Sequence, residues 1–304
     1  MGSIRLRLAQ LAAHLVVALV ALVVIGGATR VMEAGLAWPD GPLCCGTFLP
    51  GRQMNLQVFL EWFHRLDAFV VGVALLVQLA VVGWHRRNLP AWLLPFSGLL
   101  VLMVALQGGL GALTVLQLLP SAVVTAHLAL ALTLVISVSG LTQVLLNDSE
   151  AASAPRWWPW LGGMSVFAVT AQSLLGGRMA TSWAAQRCLE AGQSCQWLHW
   201  HRSFATPVAT TVALFVVVAL LAGGWARQQW PLLLMARSLV AAPVALGVST
   251  LRMGLAQPAL TVGHQLVACL LVAVLSALTC RRPPASSAPR PVVLDSSILE
   301  TCHG

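Results

Sequence analysis

His64 and His127 stand 63 residues apart, and so do His201 and His264. Each of the four lies a few residues inside a long apolar run. An ionisable side chain in a membrane helix is costly, so its default reading is functional. Neutral imidazole is a common metal ligand and, in electron-transfer and haem-handling proteins, the usual axial ligand of haem iron. A duplicated unit with two membrane histidines per copy therefore reads as a two-haem membrane protein. One such histidine is as easily a packing or hydrogen-bonding group; four at matched depth in a repeat are not. His14, His85 and His303 lack this context and read as topological or solvated. His199 precedes His201 by two residues and points to another side of its helix, which makes it the weaker ligand candidate.

The elements that must position these histidines are membrane helices. The chain of 304 residues is 58% hydrophobic and 9% charged, a composition that excludes an ordinary soluble domain. Apolar runs near 8–28, 58–83, 92–116, 121–145, 157–177, 197–223, 231–250 and 258–280 each approach the roughly 20 residues that a bilayer needs. The predicted fold class is an all-α membrane protein of eight transmembrane helices in two pseudo-symmetric four-helix bundles. Residues 1–146 form the first half, 147–156 a polar cytoplasmic linker, 157–280 the second half, and 281–304 a Pro- and Ser-rich disordered tail. The net charge of +8 comes from Arg alone, scattered in short loops, so it reads as topology and headgroup contact rather than nucleic-acid binding. With the N-terminus inside, nine arginines fall in inner segments and five in outer ones, so both termini are expected to be cytoplasmic. The first apolar run is longer than a signal-peptide core and no A-x-A site follows it, so it is expected to be retained as a helix.

The repeat runs beyond the histidines. Trp62-Phe63-His64-Arg65 is matched by His199-Trp200-His201-Arg202, Gly111-Ala112-Leu113-Thr114 by Gly247-Val248-Ser249-Thr250, and Gly26-Gly27 by Gly176-Gly177. Under the N-in topology the second, fourth, sixth and eighth helices all enter from the outer face. At about 1.5 Å per residue, all four histidines then sit roughly 6–10 Å below the outer ends, where each pair can meet at one level. Gly108, Gly109, Gly111, Gly247 and Gly263 would let a flat macrocycle approach the backbone.

One asymmetry points to chemistry. Glu61 precedes His64 by three residues and shares its helix face, whereas the repeat counterpart of Glu61 is Leu198. A buried carboxylate beside one site is a candidate proton acceptor or donor; the competing reading is an interfacial Glu paired with Arg65. Asp67 is a further acidic residue on this helix that can partner an arginine. Arg30, Arg65, Arg178, Arg202 and Arg252 lie near outer helix ends. The first four are the candidate contacts to haem propionates, against ordinary interfacial anchoring. Cys188 and Cys195, in an outer loop with six residues between them, are a candidate disulfide. Cys44 and Cys45 are adjacent in the other long outer loop, where a bond between neighbours would be strained. The partner of Cys44 stays open between Cys188 and Cys195.

The chain resembles haem A synthases, the membrane family that converts haem O to haem A, and is most similar in wording to cyanobacterial members. The resemblance covers about residues 8–280. Its carriers are Gly26-Gly27-Ala28-Thr29-Arg30, the loop Gly35-Leu36-Ala37-Trp38-Pro39-Asp40-Gly41-Pro42-Leu43-Cys44, Glu61-Trp62-Phe63-His64-Arg65, Thr125-Ala126-His127, His201-Arg202 and Gly263-His264-Gln265. The resemblance implies that His64 and His127 ligate the iron of the substrate haem, that His201 and His264 ligate a haem b cofactor, and that Glu61 is the catalytic carboxylate. It implies oxidation of a haem methyl group to a formyl through hydroxylated intermediates, with oxygen from water and electrons leaving to an acceptor that it does not identify. Trp38 stands where relatives place the first loop cysteine, so the family's first-loop disulfide cannot form here, and Gly41 replaces a common tryptophan.

The partners implied are haem O, haem A, haem O synthase, cytochrome oxidase subunits, the lipid bilayer and a second copy of the chain. The place implied is a bacterial inner membrane, or a thylakoid membrane in a photosynthetic source. The runner-up is a non-catalytic di-haem b cytochrome exchanging electrons with quinone; a cofactor-free transporter with internal repeats is third.

Overall fold

A computed structural model describes residues 3–35, 54–147, 151–181, 196–253 and 256–285. The candidate disulfide at Cys188 and Cys195, the loop holding Trp38, Gly41, Cys44 and Cys45, and the tail beyond residue 285 lie outside the described residues. The apolar runs become helices α1 (Ser3–Val31), α2 (Leu56–Trp84), α3 (Leu93–Leu116), α4 (Ser121–Leu146), α5 (Trp157–Thr181), α6 (Gln196–Ala222), α7 (Trp230–Arg252) and α8 (Pro258–Thr279). A short turn, Gly224–Gln228, joins α6 to α7. The described residues contain no strand. Unpaired strand edges would leave backbone groups unsatisfied in lipid, whereas a helix satisfies them internally.

The expected helix boundaries differ by a few residues. The largest shift is at α1, which starts at Ser3 and so includes Arg5 and Arg7. Packing explains the extension. Arg5 donates from Nη2 to Val144 O (2.9 Å) and Asn147 O (2.7 Å), and from Nε to Leu145 O (3.1 Å). These are the carbonyls that the last turn of α4 leaves without intrahelical donors, and a cation there also complements the helix dipole. Nearby, Asn147 Nδ2 donates to Cys280 O (2.9 Å), and Trp158 Nε1 donates to Leu278 O (2.8 Å). The ends of α1, α4, α5 and α8 are thereby tied together.

Among the described residues seven helices are long and apolar enough to cross a membrane, all of those above except α5. The expected eighth span has the length but not the apolarity. Gly162-Gly163, Ser165, Thr170, Gln172, Ser173 and Gly176-Gly177 interrupt it. α5 packs against α4, α6 and α8, and helix interfaces in membranes favour small and hydrogen-bonding residues over lipid-facing ones.

Contacts within α1–α4 run α1 to α2, α2 to α3, α3 to α4 and α4 back to α1; those within α5–α8 run in the same order. Between these sets, α4 packs on α8 and α5, and α1 packs on α8. The α4–α8 crossing holds a reciprocal pair of hydrogen bonds: Ser139 Oγ donates to Ala273 O at 2.6 Å, and Ser276 Oγ donates to Ile136 O at 2.7 Å. Ser139 and Ser276 are 137 residues apart, the offset that also relates His64 to His201 and His127 to His264. A small residue lets the backbones approach, and its hydroxyl finds a carbonyl across the gap.

This crossing should be intolerant of bulk. Ser139→Leu is expected to cost about 1–3 kcal/mol through overpacking. Ser139→Ala, which removes only one hydroxyl, should cost about 1 kcal/mol. Thermal unfolding of the two variants in detergent checks the order.

Candidate functional site

Each of the four histidines sits on an even-numbered helix and rests on a glycine of the helix before it. A Cβ built on Gly26 of α1 would lie 2.9 Å from His64 Cε1, and one on Gly176 of α5 would lie 2.9 Å from His201 Cε1. On Gly111 of α3 it would lie 3.3 Å from His127 Cε1, and on Gly247 of α7 3.2 Å from His264 Cε1. A Cβ at Gly26 or Gly176 would collide with the ring, and one at Gly111 or Gly247 would press on it, so glycine here serves close approach rather than backbone conformation.

The missing Cβ lets the ring face the carbonyl one turn earlier. His201 Nδ1 lies 3.2 Å from Gln172 O, and His264 Nδ1 lies 2.8 Å from Pro243 O. Gln172 and Pro243 each precede the seating glycine by four residues. With Nδ1 donating to a carbonyl, Nε2 keeps its lone pair for a metal; such a tether fixes the tautomer and raises ligand basicity. In α1–α4 the same placement is looser. His64 is turned toward Leu22 O and His127 toward Gln107 O, but both Nδ1 atoms are buried and fall outside hydrogen-bond geometry. Two glutamines add a second hold on the backbone: Gln107 Nε2 donates to His127 O (3.0 Å) and Gln172 Nε2 to His201 O (2.6 Å). Sequence reasoning missed both glutamines. The signal was present, since each stands one turn before a seating glycine.

The rings of His201 and His264 come together across α6 and α8, with centroids 6.2 Å apart and planes inclined by 66°. This brings together the two histidines that the sequence pairs. A cavity of about 310 Å³ lies between α6 and α7, lined by Ala205, Thr206, Ala209, Thr210, Ala213 and Val244. Ala205 follows His201 by one turn and Val244 follows Pro243, but neither His201 nor His264 lines the cavity. Among the described residues no three His, Cys, Asp or Glu side chains gather to hold a metal ion.

Glu61 is 5% exposed, the one acidic residue among the buried side chains of the described residues. Its Oε1 pairs with Arg65 Nη2 at 2.5 Å, one turn along α2. The sequence left two readings, a buried carboxylate or an interfacial one paired with Arg65; the structure contains both the burial and the pair. Asp67 is half-buried, its Oδ2 is enclosed without a hydrogen bond, and no arginine among the described residues pairs with it. Of the arginines read as propionate contacts, Arg178 donates from Nη1 to Ser121 Oγ (2.7 Å) and lies 5.5 Å from the Trp197 ring centre, so it ties α5 to α4 and α6. Arg30 is half-buried at the end of α1, Arg202 is exposed, and Arg252 is exposed at the end of α7. Cys269 and Cys280 are free thiols.

A family model described as cytochrome oxidase assembly protein matches residues 9–276. A Heme A synthase from Sphingopyxis alaskensis is 28% identical, over 86% of this chain and 88% of its own. One from Symbiobacterium thermophilum is 33% identical over 40% of this chain and 38% of its own. One from Novosphingobium aromaticivorans is 26% identical over 60% of each. The matched stretch thus ranges from about two fifths to most of these relatives' length.

The seating glycines should be separable from the rest by substitution. Gly176→Leu is expected to lower retention of a metal group at His201 by about 10–100-fold, the usual loss when a ligand's support is displaced. Gly163→Ala, where a Cβ meets nothing within 4 Å, should instead stabilise α5 by about 0.5–1 kcal/mol. Absorbance per chain and unfolding midpoints check the pair.

Proposed function

The chain belongs to the haem A synthase family of cytochrome oxidase assembly proteins, and from that premise we propose that it oxidises the methyl group of haem O to the formyl of haem A. In this reading α1–α4 and α5–α8 are two pseudo-symmetric halves, α5 crosses the bilayer with the other seven helices, and both termini face the cytoplasm. His64 and His127 hold the substrate iron in the first half. His201 and His264 hold a resident haem b in the second, which when bound supplies one-electron transfer.

The observation that carries the division of labour is the difference in tethering. His201 and His264 have Nδ1 in full hydrogen-bond geometry with a backbone carbonyl, whereas His64 and His127 face theirs, Leu22 O and Gln107 O, outside that geometry. A cofactor that stays needs ligands of fixed orientation and high basicity. A substrate that must leave as product is better served by ligands that are seated but less firmly tethered. The half with loose histidines is also the half with the buried Glu61.

Conversion of methyl to formyl with oxygen from water releases four protons and four electrons. Glu61 lies one turn from His64 on the same face of α2, and Arg65 fixes its Oε1. The carboxylate takes a proton as the methyl carbon is oxidised, a role that general-base catalysis values at about 10²–10⁴-fold. Water must still reach the reacting carbon as the oxygen source, and the electrons pass to an acceptor outside the chain. Haem O synthase as supplier and cytochrome oxidase as recipient fit this chemistry.

Two substitutions test the assignment in cells that also make haem O. Glu61→Gln should retain both haems and lose turnover by at least about 100-fold. His264→Ala should lose haem b. Acid–acetone extraction and chromatography of the purified proteins read both. Haem b alone at two per wild-type chain would overturn the synthase reading in favour of an electron-transfer cytochrome.

A further inference from the structure

One turn of α1 is pressed from both sides. From its own half comes the His64 ring, resting on Gly26. From the other half comes Gln265 of α8, whose Cδ and Nε2 would lie 2.5 and 2.8 Å from a Cβ on the next residue, Gly27. Gln265 Nε2 donates to Val23 O at 2.9 Å. Val23 and Gly27 are i and i+4, so the glutamine amide lies on one helical turn just as His64 lies on the turn Leu22–Gly26. Gln265 is also the covalent neighbour of His264.

The second crossing, at α5, has the same plan with different chemistry. Gly176 seats His201, and Gly177 receives Leu128, whose Cδ2 would lie 2.6 Å from a Cβ there. Leu128 is the covalent neighbour of His127. Each Gly-Gly step therefore seats a histidine of its own half and the residue after a histidine of the other half. Apolar contact, which has no direction, is all that a leucine can add at α5. At α1 a hydrogen bond also fixes where the turn lies along α8. The consequence falls on His64, whose Nδ1 faces Leu22 O on that turn outside full hydrogen-bond geometry, so the turn beneath it sets its position.

We propose that Gln265 is a positioning residue that couples the two haem sites, relaying the seating of His264 through the Val23–Gly27 turn to His64. This rests on the ligand assignments under Proposed function. Filling the haem b site orders His264, α8 and the Gln265 amide together, and so favours the α1 position in which His64 is ready for the substrate iron. Coupling of this kind is reciprocal: haem O must favour haem b retention by the same factor.

The experiment is a spectroscopic titration of haem O into the full-length protein, once with haem b loaded and once with the second site emptied by His201→Ala, which leaves His264 and Gln265 in place. The expected result is haem O binding at least about fivefold tighter in the loaded protein, the lower range of such couplings. Gln265→Leu, the residue type the α5 crossing already accommodates, should keep haem b per chain and bring the ratio to about one. Leu128→Ala should leave the ratio in place. If Gln265→Leu fails to hold haem b, Gln265→Met, which keeps the length and lacks the donor, decides in its stead. An undiminished ratio in the glutamine variant, or an equal loss in Leu128→Ala, would overturn the proposal. Haem O binding that ignores haem b in the wild type would sink the coupling alone. No haem O binding by the loaded wild type would sink the functional reading as well.

Discussion

An imidazole can lie flat against a neighbouring helix, close enough for Nδ1 to face a backbone carbonyl, only where that helix has no Cβ. Four crossings in this protein meet that condition, at Gly26, Gly111, Gly176 and Gly247. Much else follows from it. Each odd helix must lie close to the even helix that follows it, so the contacts run in chain order around α1–α4 and again around α5–α8. The histidines must enter at one depth, because each is seated near the same end of its partner helix.

The same scaffold is used twice with different tension. In the second set the carbonyls of Gln172 and Pro243 are within hydrogen-bond distance of their histidines. In the first the enclosed histidines face Leu22 O and Gln107 O less squarely. The first set also carries the Glu61–Arg65 pair, for which the second offers Leu198. A carboxylate buried in lipid-facing structure is expensive, and its pairing with Arg65 offsets part of that cost. Closely held histidines in one set and a buried charged pair in the other are the differences on which the proposed division between a cofactor site and a reaction site rests.

The halves are joined by features that make their independence difficult. Ser139 and Ser276 exchange hydrogen bonds with carbonyls across α4 and α8, and the Gly-Gly steps of α1 and α5 each touch both halves. A displacement of α8 large enough to disturb His264 therefore reaches α1. Close packing transmits such shifts because the interior has little free volume to absorb them.

Much of this was legible along the chain. The membrane helices follow from apolar runs, which are local sums. The equal histidine spacing marks a repeat without any knowledge of its shape, and Glu61 stands out because Leu198 occupies its counterpart position. The tertiary structure decided what depends on which segments cross. Gly26, Gly111, Gly176 and Gly247 are separated from the histidines they seat by 38, 16, 25 and 17 residues, and no local pattern joins them. Gln107, Gln172 and Gln265 read along the chain as isolated polar residues in apolar helices, and only the crossings give them carbonyls to hold. α5 falls short of the apolarity of the other seven helices because its polar and small residues face α4, α6 and α8 rather than lipid. Hydropathy is a property of a segment by itself, whereas a seat, a tether or a coupling belongs to two segments at once.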